Sequence, residues 1–167
     1  MNLLQSLEAY TNAQKGVGTN FIILGFILLI ISAVFAFFVS KSQMATGLKW
    51  GALVAGIFII VGGFTYRNFS EKTKNDAIAI YEKDATEFVQ FEHERMEKVD
   101  KGFLTYQLVF AAFVVLALIV IVFVKTPVLK GIAFAIAILF IGQLLIEGFS
   151  HKSISEYTNI LRQEVQK

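Results

Sequence analysis

Four stretches of the chain are almost wholly apolar: Phe21 to Val39, Trp50 to Tyr66, Phe103 to Val124, and Val128 to Ile146. Each has roughly 17 to 22 residues, the length at which a helix crosses a bilayer core of about 30 Å. No water reaches backbone groups in that core, so each stretch must satisfy its own, and helix is the predicted state.

The segments between these runs alternate differently. Ile154, Tyr157, Leu161 and Val165 recur on one helical face, with Lys152, Glu156, Arg162 and Glu164 elsewhere, which predicts an amphipathic helix at about 154–166. Similar faces are expected at about 2–14, 69–82 and 86–100. Residues 67–101 as one helix would be a rod of about 50 Å, too long to bridge two neighbouring spans. The segment is therefore expected to break near Lys83-Asp84.

These elements occur in a repeated order. GFTYRNFSEKT, from Gly63, follows the second run and GFSHKSISEYT, from Gly148, follows the fourth; five of the eleven positions are identical. Lys15-Gly16 and Lys101-Gly102 precede runs one and three, and Lys41 and Lys125 close them. The pattern predicts a tandem duplication, residues 1–83 and 84–167, each copy an amphipathic helix, two spans and a second amphipathic helix. Two spans per copy bring each copy in from the same side, so the repeats are parallel and not inverted. In the repeated motif, Asn68-x-x-Glu71 and Ser153-x-x-Glu156 have the form of capping boxes and predict fresh helix starts after spans two and four.

Composition and charge refine this picture. Apolar residues are 56% of the chain and charged residues 17%, a membrane-protein composition. A cleaved signal peptide fits the first run poorly, because the run is too long and one lysine precedes it. The short connections hold Lys41, Lys49, Lys125 and Lys130, while the other eleven of the 15 cations lie in the termini and central segment. The rule of basic loops then puts both termini in the cytoplasm, as in a bacterial inner-membrane protein. Trp50, Tyr66 and Tyr106 are expected to anchor at the two interfaces. A net charge of +2 gives no reason to expect nucleic acid, and the absence of cysteine excludes thiolate chemistry.

Candidate chemistry is sparse. Gly47, Gly51 and Ala55, with Gly131 and Ala135, form small-residue stripes on spans two and four that predict close packing between them. Gln143, Glu147 and His151 recur every four residues where the first copy has Phe58, Gly62 and Tyr66. This polar face is a candidate polar path or partner contact; the alternative is Glu147 at headgroup depth, paired with Lys152 or His151. Glu92-His93-Glu94 with Glu97 reads as a solvated helix face rather than a metal site, and no cofactor is expected. The resulting expectation is an all-α, integral-membrane four-helix bundle. It would act without catalysis as a self-associating subunit or scaffold among lipid and other membrane subunits. The alternatives are an oligomeric pore and a transporter or enzyme.

Overall fold

The structure, a computed structural model, describes residues 3–39 and 42–166. Residue 2, the expected start of the first helix, and Lys41 lie outside them. Four helices follow in order: α1 (Leu3–Phe37), α2 (Gln43–Lys83), α3 (Ala85–Phe123) and α4 (Pro127–Val165). All four are long and apolar enough to cross a membrane, and together they pack as a bundle. At 1.5 Å per residue they run roughly 52 to 62 Å, about twice a bilayer core. Each helix thus has an apolar half and a polar half that extends beyond the lipid.

The local signals that bound the helices are simple. The Ser42 side chain accepts from the amide of Ala45 at 3.1 Å and starts α2. Pro127 sits in the first turn of α4, where an amide would have no acceptor. The expected break at Lys83-Asp84 is present: Asp84 is extended, its amide closes α2 onto Ile80, and its carboxylate accepts from the amides of Thr86 and Glu87 to open α3. One residue makes the turn.

The expected helix starts at Asn68 and Ser153 are absent, because α2 and α4 run through both positions. Amphipathic helices and spans are fused rather than separate. A capping box helps only where backbone amides lack acceptors, and within a continuing helix they have them. The side chains find other work. Ser70 Oγ donates to the carbonyl of Tyr66 at 2.9 Å, Ser153 Oγ donates to that of Ser150 at 2.8 Å, and Glu71 pairs with Lys15 and Lys74.

The two larger cores stack along the bundle. In the apolar half, Phe21, Leu24, Leu28, Ala52, Ile59, Ala135 and Leu139 meet. In the polar half, Leu7, Ala77, Phe88, Met96, Ile154, Tyr157 and Leu161 meet. The predicted α4 face therefore packs at Ile154, Tyr157 and Leu161, while Val165 at its end is exposed.

Glycine sets how closely the helices approach. A methyl group built on Gly18 would stand 2.8 Å from the Gly63 carbonyl, and one on Gly25 would stand 2.7 Å from that of Gly56. α1 and α2 therefore meet backbone to backbone at two places seven residues apart. Between α2 and α4, a methyl on Gly47 would fall on the carbonyl of Val128, and one on Gly131 on that of Met44. Gly51 lies against Ala135 and Ile132, and Ala55 and Ala135 are buried. α3 has no such contact and packs on α4 through Ala117, Ala133 and Ala137 and through Phe113 stacked on Phe140 at 4.6 Å. In its most apolar stretch only 6% of residues are buried, against 33% for α2 and α4.

Candidate functional site

The Gln143, Glu147 and His151 side chains, aligned on one face of α4, reach three different surroundings. Gln143 is buried among the spans, and its Oε1 has no hydrogen-bond partner among the described residues. His151 turns to α3: Nε2 lies 3.3 Å from Asp100 Oδ1, and the ring stacks on Phe103 at 4.1 Å. Glu147 pairs with neither of its expected partners, since Lys152 goes to Glu156 at 3.7 Å. Among the described residues, its carboxylate has one hydrogen-bond partner, Ser150 Oγ at 3.5 Å.

Glu147 lines a cavity of about 540 Å³ where the apolar and polar halves meet. All four helices contribute: Tyr10 and Gln14 from α1, Tyr66, Phe69 and Lys74 from α2, Arg95, Lys98, Phe103, Tyr106 and Phe110 from α3, and Ile154 beside Glu147 on α4. The cavity arises because α3 stands off from α2. Those two helices are joined at Asp84, with Tyr81 edge-on to Phe88, and approach each other far less closely than α3 and α4 do. Phe69 and Tyr106, each 64% exposed, flank that opening.

Along the bundle axis the lining changes character. Lys74, Arg95 and Lys98 lie toward the water-side end, and Phe103, Tyr106 and Phe110 toward the spans. Tyr66, expected as a lipid-facing anchor, is instead half-buried and donates to Gln14 Oε1 at 2.6 Å. The Gln14 amide in turn donates to Ser153 Oγ at 3.3 Å, so three helices share one polar chain at the membrane boundary. Trp50 and Lys49 stand at the opposite boundary, the ammonium 4.8 Å from the ring centre.

Beyond the cavity the polar half holds a charged cluster that sequence reasoning missed. Glu92 is fully buried and accepts from Arg95 at 2.5 and 2.7 Å and from Tyr157 Oη at 3.3 Å. Tyr10 stacks on Tyr157 at 5.0 Å, and the Arg95 guanidinium lies 5.7 Å over Tyr10. Burial works against the charge of Arg95, but the Glu92 carboxylate outweighs it and holds the guanidinium pKa above its ordinary value. Burial, aided by Glu92, pushes the Tyr157 hydroxyl up as well. The sequence did contain a signal: Phe88, Glu92 and Met96 follow one another at intervals of four on the apolar face of α3.

Nearer the membrane, Glu71 bridges Lys15 at 2.7 Å and Lys74 at 2.6 Å. Hydrogen bonds from Lys15 and then Lys74 hold its carboxyl at about 2, below the usual carboxylate range. Among the described residues, Lys98 has no such partner. Among the described residues, no group of three or more side chains converges as a metal site. Comparisons of the chain with protein-family models, with curated proteins and with solved structures find no match.

Proposed function

We propose that the protein works without catalysis, as a self-associating structural subunit or scaffold of a membrane assembly, built from two parallel copies of one hairpin. The observation that carries this reading is unbroken helices in close contact. Four helices cross the membrane boundary unbroken, and three of them are held to one another by backbone-close glycine contacts. Transporters that alternate access commonly break helices at the midplane; here Gly62 and Gly63 continue α2, and Leu24, Leu28, Ile59 and Leu139 close the interior of the spans. Such a unit fixes a water-side bundle at a set height and angle above the lipid. In this reading both termini face the cytoplasm of a bacterial cell.

The duplication is supported by paired contacts at matching positions. Tyr66 meets Gln14 in the first copy, and His151 meets Asp100 in the second. Both contacts join the exit of a hairpin's second span to the helix entering its first. The copies differ in their glycines: Gly18, Gly25 and Gly56 correspond to Leu104, Ala111 and Ile141. Larger side chains at those places account for the looser seat of α3.

Purification in mild detergent followed by mass and stoichiometry measurement tests the reading. A multimer or a co-purifying membrane subunit is expected, and a lone monomer at all concentrations would overturn it. A second reading is favoured by the unpartnered Gln143 Oε1 and by Glu147 beside the cavity: an oligomeric pore with this face along its path. Glu147→Gln should then change the conductance of reconstituted protein, and unaltered single-channel behaviour removes the pore reading.

A further inference from the structure

Three features of the cavity specify what could fill it. The first is its position. It straddles the boundary between the polar and apolar halves, so any occupant has one end at headgroup depth and the other in hydrocarbon. The second is its mouth, which opens sideways between α2 and α3 past the exposed rings of Phe69 and Tyr106. A molecule already in the bilayer could enter there without crossing water. The third is charge. Lys74 and Arg95 are paired with Glu71 and Glu92, while Lys98, at the water-side end of the lining, has no acidic partner among the described residues.

We propose that the cavity holds one anionic membrane lipid, with its phosphate at Lys98 and a single acyl chain along Phe103, Tyr106 and Phe110. An uncompensated lysine at headgroup depth attracts an anionic lipid, and Lys74 has donors left after binding one carboxylate oxygen. Glu147 at the membrane-side end repels a phosphate, which fixes the ligand's direction: headgroup toward Lys98, chain toward the spans. The volume lies within the roughly 300 to 1,000 Å³ of small-molecule sites. Gly102 supplies part of the room, since a side chain added there would meet only the edge of Tyr106, at 3.5 Å, before projecting into the space. This proposal does not depend on the scaffold reading and is tested without reference to assembly.

The test is native mass spectrometry of the full-length protein in detergent. It is titrated with phosphatidylglycerol or phosphatidylcholine of identical chains, with inorganic phosphate as a competitor. One phosphatidylglycerol per chain is expected, retained about thirtyfold more tightly than phosphatidylcholine, the difference that two nearby lysines provide. Lys98→Gln should weaken phosphatidylglycerol about fivefold and leave phosphatidylcholine unchanged, whereas Lys72→Gln, outside the lining, should change neither. Gly102→Leu should block both lipids while the helix folds at least as well; if that variant misfolds, Lys98→Gln decides. Equal retention of the two lipids, or indifference to Lys98→Gln, would overturn the proposal. Displacement by inorganic phosphate as effective as displacement by lipid would overturn it too, because the acyl chain would then contribute nothing.

Discussion

Glu92 lies in a run, Glu92-His93-Glu94, that reads as a solvated helix face, yet it is the most deeply buried charge among the described residues. Its environment depends on which helices surround it, and a linear pattern cannot report that. Arg95 and Tyr157 reach it from α3 and α4, so its carboxylate is satisfied within the core. Removing one partner of a buried pair leaves the other charge desolvated, which costs roughly 3 to 5 kcal/mol. Because Arg95 keeps some exposure, Glu92→Ala is expected to cost about 3 kcal/mol, measured by thermal unfolding in detergent. A change of a few tenths would mean that water already solvates the pair. Glu147 teaches the complementary lesson. That it stands where the similar earlier stretch has Gly62 was legible; that it would face a cavity rather than His151 was not, because His151 is drawn away by Asp100 and Phe103 on another helix.

Among the elements, the spans and the break at Asp84 were legible because each rests on a hard constraint, the thickness of the bilayer and the distance between neighbouring spans. The false starts at Asn68 and Ser153 rested on a side-chain pattern compatible with a helix beginning and equally with one continuing. The small residues of α2 and α4 stood out as stripes. The Gly18/Gly63 and Gly25/Gly56 contacts did not, because their spacing of seven needs a partner helix to give it meaning. Glycines with a neighbour should now behave differently from glycines without one. Gly47→Ala or Gly131→Ala forces a methyl into a facing backbone and should lower stability by about 1 to 3 kcal/mol. Gly62→Ala and Gly148→Ala meet nothing within 4 Å and should be neutral or stabilising by up to about 1 kcal/mol. Denaturation of the four variants side by side checks this, and a common response in both classes would contradict the close approach of α2 and α4.

For the whole molecule, the arrangement in the bilayer can be tested with introduced cysteines, since the chain has none. On the proposed orientation, with both termini cytoplasmic, a cysteine at Gln43 should react with an impermeant reagent from outside the cell and one at Lys74 should not. The reverse pattern would invert the orientation while leaving the fold intact. The helices that pass unbroken through the membrane boundary have a mechanical consequence. A span that must fit a thinner bilayer does so by tilting, and with no hinge at the boundary its water-side half swings with it. The Asp84 turn lies at the far ends of two such arms, where displacement is largest. The bundle then moves as one body, and a change in bilayer thickness displaces the Asp84 turn more than any point within the lipid.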